Sequence, residues 1–313
     1  MSWLGPDGYA QALAGLTGDP DPYLAPEYLA AAAASEAGAL AAFAAAGVVY
    51  PFLVRPLAGG RCDITSAYGY GGPLGTGDWR SEFRGACRER GVVSEFIRFH
   101  PLLQNQRGLE DVDLRPVQET VTVDTRLDDE HLLAQMQPTA RNKLRKAQRR
   151  GVRVQESRQL GRFCDLYNQT MQRAHADEAY LFDAAYFDGL DRLGDRLLML
   201  DAGCAAALFI CGGGAMHYHL SGSTAEGRRD AATNLLLWEA MQHARARGLH
   251  TLHLGGGLRP GDALATFKQS VGAGRALYVQ GRAIHDPDAY RELCREAGVP
   301  EDGEFFPAYR SRR

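Results

Sequence analysis

The chain has 313 residues, of which 45% are hydrophobic and 23% are charged, and its formal net charge at pH 7 is -3. This length allows two domains of common size, and the composition is that of an ordinary soluble globular protein. The slightly negative charge excludes a general attraction to nucleic acid, so any such contact must come from a local basic patch.

The six cysteines are scattered and include no CxxC pair, which favours reduced thiols in the cytoplasm over a disulfide framework or a zinc site. The first ten residues, MSWLGPDGYA, hold no basic region followed by an apolar core, so we expect no signal peptide. The alanine-rich run 30–49 is too weakly apolar to span a bilayer and predicts a helix packed on a sheet. These features predict a cytoplasmic protein without stable membrane insertion.

In chain order, residues 1–130 alternate between helical and strand patterns. Runs of β-branched and aromatic residues predict strands, and a glycine-rich tract at 68–73 excludes a regular element there. The alternation indicates a layered α/β or α+β domain. After the alanine-rich helix, the predicted elements are strand Val48–Leu57, helix Trp79–Arg90, strand Val92–Phe99 and strand Val117–Val123.

Residues 131–313 repeat this rhythm. Three consecutive strand patterns are separated by short glycine-containing turns, which predicts an antiparallel set, and a helix and further strands follow. The predicted elements are helix His131–Arg150, strand Val152–Glu156, helices Leu160–Ala174 and Ala184–Leu193, strands Leu197–Asp201, Ala205–Cys211 and Ala215–Ser221, helix Thr233–Arg247, and strands Leu249–Leu254 and Ala276–Ile284.

The most basic segment is RNKLRKAQRRGVR at 141–153, with seven basic residues and no acid. On a helix, basic residues spaced four apart share a face, and their mutual repulsion favours a polyanionic partner. Phosphate contacts would make binding strongly dependent on salt. The alternative is a solvated helix balanced by the acidic residues at 128–130. The candidate RNA-binding residues are Arg141, Lys143, Arg145, Lys146, Arg149 and Arg150.

Lysine is rare in this chain: only Lys143, Lys146 and Lys268 occur among 35 lysines and arginines. Lys268 therefore stands out as a compact ammonium that a planar guanidinium would not replace. It follows Phe267 on a predicted turn, after a helix, a strand and a glycine loop. A solvated surface lysine is the alternative, but this local order favours a functional role.

Four short motifs follow one another in the second half: LWEA at 237–240, RG at 247–248, LGG at 254–256 and FKQ at 267–269. Their order, together with the basic segment and TMQR at 170–173, resembles the Fem family (FemABX) of nonribosomal peptidyltransferases. Members of that family move an amino acid from aminoacyl-tRNA onto an amine.

The resemblance implies an α/β (α+β) fold of two GNAT-like domains, at 1–130 and 131–313, with mixed, largely antiparallel sheets flanked by helices. The basic helix at 139–153 would belong to the second domain. No heptad run exists, so the coiled-coil arm that some family members carry is not expected.

The resemblance also implies roles for individual residues. Lys268 would stabilise charge near the tRNA terminus and Phe267 would shape the pocket, as the candidate catalytic residues. Arg173 would hold phosphates of the acceptor, and Tyr218 would face the cleft. However, no lysine precedes Arg141, so the family's N-terminal lysine has no counterpart. We therefore expect a modified peptide, an amino sugar or a small metabolite amine as acceptor.

Further polar candidates surround the glycine-rich tract of the first half. Tyr68, Tyr70, Arg98 and Asn105 combine hydrogen-bond donors with aromatic rings, which suits a polar substrate in a cleft. Alternatively, the tyrosines simply pack on a glycine-rich connection.

Two histidines, at 217 and 219, alternate with Tyr218 and would face the opposite side of a strand. They lack further ligands nearby in sequence, so no metal site is expected. No cofactor is expected either.

A competing donor is acyl-CoA or an acyl carrier. CoA-dependent enzymes hold pyrophosphate at a glycine-containing loop that leads into a helix N-terminus. The corresponding segment, Arg228–Thr233, has no glycine and carries Asp230, which favours aminoacyl-tRNA. The glycines at 255–257 predict a turn that permits close backbone approach. A third possibility is a catalytically silent GNAT-like binding module.

Overall fold

The computed structural model describes residues 2–177 and 180–311. Among the described helices, none combines the length and hydropathy that a membrane crossing requires. The strands are β1 (Ser2–Leu4), β2 (Ala39–Ala45), β3 (Val48–Pro56), β4 (Cys62–Thr65), β5 (Leu74–Gly75), β6 (Val92–Arg98), β7 (Asp113–Asp124), β8 (Gln155–Ser157), β9 (Leu197–Asp201), β10 (Ala205–Gly212), β11 (Ala215–Ser223), β12 (Thr251–Gly255) and β13 (Gly274–Ile284). The helices are α1 (Pro6–Leu16), α2 (Pro26–Ser35), α3 (Arg80–Glu89), α4 (Asp129–Gln135), α5 (Pro138–Arg149), α6 (Leu160–Arg173), α7 (Ala184–Asp191), α8 (Ala225–Arg229), α9 (Ala232–Ala246), α10 (Ala263–Val271) and α11 (Pro287–Ala297).

The chain divides into two compact units, here called the flanking unit and the central unit. The boundary expected from the sequence is residue 130, whereas the units divide inside β7, between Val117 and Gln118, and again inside β13, between Leu277 and Tyr278. The flanking unit comprises Met1–Gly18, Ala32–Val117 and Tyr278–Arg313, and the central unit comprises Asp19–Ala31 and Gln118–Leu277.

The flanking unit contains a mixed sheet with the strand order β1-β2-β3-β4-β6-β13, and β5 also pairs with β3. The β4–β6 pair is parallel, and the other pairs in this unit are antiparallel. Its core is aromatic: the rings of Phe43, Tyr50 and Phe52 meet that of Phe83 from α3 with centroids 5.2–5.9 Å apart. Two of these pairs are edge-to-face and the Phe52–Phe83 pair is tilted. Edge-to-face pairs stabilise a core beyond the area that the rings bury.

One predicted element of this unit is wrong. The alanine-rich run 30–49 was expected to be a single helix, but the helix α2 ends at Ser35 and strand β2 occupies Ala39–Ala45. β2 pairs with both β1 and β3, and its central residues are buried. Pairing on both sides outweighs the weak preference of alanine for helix.

Beneath α3 lies a buried ion-pair network. Arg80 donates two hydrogen bonds of 3.0 Å to Glu95, which is fully buried, and further hydrogen bonds to Asp111. His285 Nε2 lies 3.1 Å from the Glu95 carboxylate. Burial acts to raise the pKa of Glu95, but Arg80 and His285 outweigh it and lower that pKa to about 2. The network is thus a charge cluster in which Glu95 is fully buried and Asp111 stays partly exposed, and it depends on both signs being present.

The Arg80→Met variant should lose about 3–5 kcal/mol of unfolding free energy, because it leaves a buried carboxylate without its cation. Urea titration at neutral pH measures this loss. Arg84→Met is the matched control, since Arg84 is exposed on the same helix, and it should change stability by no more than about 0.5 kcal/mol. An equal loss of unfolding free energy in the two variants would show that the Arg80–Glu95 pair does not stabilise the fold more than an exposed arginine does. In the wild type, this contribution should be present above about pH 4.5, the ordinary pKa, and lost as the pH falls toward 2.

The central unit has the strand order β7-β12-β11-β10-β9-β8. The β11–β12 pair is parallel, and the other pairs are antiparallel. Helices α5 and α9 contribute Leu144 and Leu236 to the core on one face of the sheet. On the other face, Tyr186 of α7 reaches His219 of β11. Three antiparallel strands, a helix and a further strand occur in the predicted order, so the expected mixed, largely antiparallel α/β architecture is confirmed.

The predicted helix His131–Arg150 is two helices, and this prediction is corrected. α4 ends at Gln135 and α5 begins at Pro138, with Gln137 between them in an extended conformation. Proline has no N–H to continue a helix and disfavours helical geometry in the residue before it, whereas it is well tolerated at the first helical position. The basic helix therefore runs over Pro138–Arg149 rather than 139–153.

Candidate active site

The central unit contains a fork where two parallel strands part. The register of β11 with β12 pairs Ala215 with Thr251, Met216 with Leu252 and His217 with His253, and it ends there. Both strands continue, β11 to Ser223 and β12 to Gly255. The two strands therefore stop pairing with each other after His217 and His253. From Tyr218 in β11 and from Leu254 in β12 onward, no backbone pairing between these two strands is described. Here "the fork" means these two diverging segments together with Gly256.

Lys268 connects the two prongs of the fork. Its ammonium donates a 2.6 Å hydrogen bond to the carbonyl oxygen of Gly256 and lies 5.7 Å from the ring centroid of Tyr218. Only 8% of Lys268 is exposed. The sequence predicts this lysine on a turn, but it lies within helix α10, and this prediction is corrected. Phe267 is half-buried and packs against the hydrophobic core below.

The glycine loop and the start of α10 fix the position of Lys268. Asp262 caps the helix by accepting hydrogen bonds from the backbone N–H groups of Ala265 and of the loop residues Leu258 and Arg259. A Cβ atom on Gly257 would lie 2.2 Å from the Asp262 carboxylate, and one on Gly256 would lie 2.6 Å from the Gln118 amide. At Gly256 the neighbour is the end of the flexible Gln118 side chain, whereas a Cβ atom on Gly257 would also lie 2.9 Å from the Arg259 carbonyl oxygen, so the predicted close backbone approach is seen at Gly257.

Burial shifts the titration of both side chains at the fork. It lowers the pKa of Lys268 to about 8, against the opposing charge of Asp262. It raises the pKa of Tyr218 to about 12, although a hydrogen bond to Ser221 opposes this shift. At neutral pH the lysine is therefore mostly a cation and the phenol is neutral. A cation held in a largely dehydrated place can stabilise negative charge that develops on a bound carbonyl.

Two arginines meet beside the end of β11. Arg173 and Arg228 both donate to the carbonyl oxygen of Ser223, at 2.6 and 3.4 Å. Burial, and then the charge of Arg228, lower the pKa of Arg173. Within residues 2–177 and 180–311, neither guanidinium forms an ion pair with a carboxylate. Arg173 was expected from the sequence to bind an anion, while Arg228 was missed because its neighbour lies 55 positions away in sequence.

The basic residues of α5 have two different environments. Arg141 donates to the carbonyl oxygens of Leu133 and Met136 and so caps α4. Arg150 lies 3.3 Å from Asp230. The other four candidates form no ion pair in the described chain; they are Lys143, Arg145, Lys146 and Arg149.

The N-terminus of α9 could hold a phosphate group. Ala231 precedes this helix without a side-chain cap, and the side-chain amide nitrogen of Asn234 in its first turn is buried with no hydrogen-bond partner in the described residues. Asp230 is adjacent, but Arg150 offsets part of its charge. Unpaired N–H groups at such a position attract anions.

The candidates from the first half lie in the flanking unit, where they hold the glycine-rich tract. The Asn105 amide donates to the carbonyl oxygens of Gly71 and Pro73 and accepts from the backbone of His100. Arg98 donates to the carbonyl oxygen of Ser66. Each of these contacts gives the side chain a structural function, so binding by Asn105 and Arg98 remains a prediction.

The two tyrosines of this tract are half-buried. The Tyr70 ring lies 5.5 Å from that of His100 and 5.6 Å from that of Tyr278, and the Tyr68 backbone donates to Glu36. Their roles in substrate binding also remain predictions.

The segment that contains the fork resembles a known protein family. Residues 134–269, which include Arg173, Tyr218 and Lys268, match the acetyltransferase (GNAT) domain family. The match identifies an acyltransferase domain. No curated protein matches the chain.

Solved structures of similar fold extend the comparison to the whole chain. FemX has a TM-score of 0.66 at 15% identity, over 93% of this chain and 99% of its own. The C-terminal domain (DUF2156) of a putative lysylphosphatidylglycerol synthetase from Agrobacterium fabrum has a TM-score of 0.59 at 13% identity, over 96% and 99%. L-PGS from Bacillus licheniformis has a TM-score of 0.58 at 13% identity, over 89% and 91%. The chain therefore has the fold of FemX, and the Fem resemblance is confirmed at the level of fold.

The Lys268→Met variant should be more stable than the wild type at pH 7, because it removes a buried cation. The pKa of Lys268 lies near 8 in the folded chain and at 10.5 ordinarily, so the gain is at most about 3 kcal/mol, reduced by the lost hydrogen bond to Gly256. The unfolded chain binds more protons between these two values, so wild-type stability should rise across that interval and the variant's should not. Urea unfolding at both ends of the interval tests this, with Lys143→Met as an exposed control. A large loss of stability in Lys268→Met at pH 7 would contradict it.

Proposed function

We propose that the protein is an aminoacyltransferase that uses aminoacyl-tRNA and forms an amide on an acceptor amine. The observation that carries this proposal is the buried Lys268 ammonium at the fork, bound to a glycine loop inside a GNAT domain. The fold shared with FemX supports it. An aminoacyl-tRNA donor would also place the reaction in the cytoplasm.

The chemistry requires charge stabilisation more than a nucleophilic side chain. The acceptor nitrogen attacks the ester carbonyl and forms a C–N bond while the carbonyl oxygen becomes negative. The carbon–oxygen bond to the ribose then breaks, the amine loses a proton, and the ribose oxygen gains one. The Lys268 ammonium stabilises the negative oxygen, and Phe267 shapes the pocket beside it.

The donor would lie along the exposed basic residues of α5. Lys143, Arg145, Lys146 and Arg149 form no ion pair within the described chain, so phosphate groups can replace their counterions. Arg141 and Arg150 contribute less to this surface, because intramolecular contacts already engage both side chains.

The acceptor would carry an acidic group near its amine. Arg173 and Arg228 hold two like charges together at the Ser223 carbonyl, and an anion would relieve their repulsion. Tyr218 is the other candidate contact in the central unit. Tyr68, Tyr70, Arg98 and Asn105 stay candidates in the flanking unit. A peptide, an amino sugar or a small metabolite amine fits this description.

An acyl-CoA or acyl-carrier-dependent N-acyltransferase is the second candidate. One observation favours it: the uncapped start of α9, with the unpartnered amide of Asn234, is suited to a pyrophosphate. The neighbouring Asp230, which argued against CoA in the sequence, is offset by Arg150.

Lys268→Met should remain folded and lower turnover by roughly two orders of magnitude, as expected for one lost charge-stabilising donor. Wild-type turnover should also fall as the pH rises through about 8, the pKa of Lys268, because the neutral amine cannot stabilise an oxyanion. Steady-state kinetics across this range, with circular dichroism as the folding control, measure both effects. Unchanged turnover in the variant would remove Lys268 from the mechanism.

Replacing Arg145 and Arg149 together with glutamine should weaken tRNA binding and flatten its salt dependence, because each lost phosphate contact reduces the slope by about 0.7–0.9. The matched control is Arg84→Gln with Arg88→Gln, an equally spaced exposed pair on α3. Filter binding at several salt concentrations gives the slopes. The same slope in both double variants would show that α5 is only a charged surface.

The shift in melting temperature on adding each donor should distinguish aminoacyl-tRNA from acyl-CoA. A ligand at about 100 times its dissociation constant adds roughly 2.7 kcal/mol, which is visible as a melting shift. Aminoacyl-tRNA should produce this shift, and acetyl-CoA should produce little. The reverse pattern would overturn the tRNA proposal and support the acyl-CoA candidate.

A further inference from the structure

The closed end of the fork is spanned by a row of buried polar side chains, here called the histidine bridge and consisting of Asp21, His217, His253 and Thr120. His217 Nε2 lies 2.8 Å from the Asp21 carboxylate, and His217 Nδ1 lies 3.1 Å from His253 Nδ1. His253 Nε2 lies 2.9 Å from the Thr120 hydroxyl. All four residues are at most 7% exposed.

The histidine bridge joins four separate chain segments of the central unit. Asp21 precedes the short helical turn Pro22–Leu24, His217 lies on β11, His253 on β12 and Thr120 on β7. Thr120 also donates to the carbonyl oxygen of Ala276. Both nitrogens of each histidine ring are engaged, so neither ring can rotate without losing a hydrogen bond. Losing such a bond in a buried site is costly.

The position of the bridge coincides with the point where β11 and β12 part. His217 and His253 are the last pair of the register. Side chains alternate along a strand, so these two rings lie on the face of the sheet opposite to Tyr218 and Leu254. The bridge therefore links the two strands through side chains at their last paired residues on one face of the sheet, while Lys268 contacts both prongs on the other.

The distances along the prongs are short. Tyr218, over which the Lys268 ammonium lies, is the next residue after His217, and Gly256, which accepts the hydrogen bond of Lys268, is three residues after His253. A change in the distance between the two histidine rings would therefore move the contacts of Lys268. On β11 it has to pass along one residue to reach Tyr218, and on β12 along three residues to reach Gly256. The position of the Lys268 ammonium depends on both Tyr218 and Gly256.

We propose that Asp21, His217, His253 and Thr120 are positioning residues: they hold β11 and β12 at the separation that keeps the Lys268 ammonium on Gly256 and over Tyr218. The effect on reaction rate rests on the proposed function, whereas the effect on Lys268 itself does not. None of the four residues needs to touch substrate for this role.

The rarity of lysine allows a direct test. Protein labelled with carbon-13 at lysine Cε has only three lysine side-chain signals, and Lys268→Met assigns the one that matters. Titration from about pH 6 to pH 11 then follows the Lys268 ammonium without any assay of activity. His253→Phe keeps a ring and removes both hydrogen bonds. Thr120→Val removes the hydroxyl with little change of shape and serves if His253→Phe does not fold.

In either variant the titration midpoint of Lys268 should move from about 8 toward 10.5, by about one unit, because water enters a loosened fork. Turnover should fall about tenfold with the Michaelis constant unchanged, as expected for an interaction that matters only in the transition state. Tyr186→Phe is the control, since it removes a buried hydroxyl that lies 2.8 Å from His219 and outside the bridge. It should leave both quantities unchanged.

A folded bridge variant with an unchanged Lys268 midpoint would overturn the inference. A moved midpoint with unchanged turnover, in an active enzyme, would overturn its catalytic part. If the wild type transfers no aminoacyl group at all, the proposed function fails while the titration still decides the position of the bridge.

Discussion

The hydrogen bond from the Lys268 ammonium to the Gly256 carbonyl is the contact on which the candidate site depends. A lysine that is 8% exposed is held without a carboxylate at hydrogen-bond distance in the described chain, and burial moves its pKa to about 8. Folding alone would favour an apolar side chain at this place. Buried charge that opposes stability is found at functional sites, where a group must be ready for charge that appears later in the reaction.

The surrounding backbone explains why the ammonium can stay there. Asp262 accepts hydrogen bonds from backbone N–H groups of the glycine loop and of the first turn of α10. Because Gly256 and Gly257 have no Cβ atom, the side chains of Gln118 and Asp262 can lie close to the backbone of this loop. Burial opposes ionisation of Asp262, but the backbone donors outweigh it and lower its pKa. The loop, the helix cap and the lysine thus form one interdependent unit, in which each contact orients the next.

Sequence reasoning found the parts of this site that are local. The scarcity of lysine and the order of helix, strand, glycine loop and Phe267-Lys268 pointed to one residue, and the alternation of the strands predicted the architecture. It could not find the histidine bridge, because Asp21 is 196 positions from His217 and meets it only in the folded chain. It also misread β2, where pairing on both sides overrides alanine's preference for helix. It could not foresee the hydrogen bond from Arg141 to the Met136 carbonyl, because that contact depends on the interruption of the predicted helix before Pro138.

The path of the chain through its two units has a consequence for how the protein can be made and divided. The chain enters the central unit at Asp19, leaves it after Ala31, returns at Gln118 and leaves again after Leu277. Neither unit is therefore a continuous fragment, and cutting at residue 130 would separate β7 and Asp21 from the strands they join. During synthesis, the central unit lacks its last segment until Leu277 has been made, and the flanking unit lacks helix α11 until residue 297 has been made, so neither unit is complete before Leu277. Fragments 1–130 and 131–313 expressed separately would each lack strands of their units and should not fold, whereas the whole chain supplies every strand of both units.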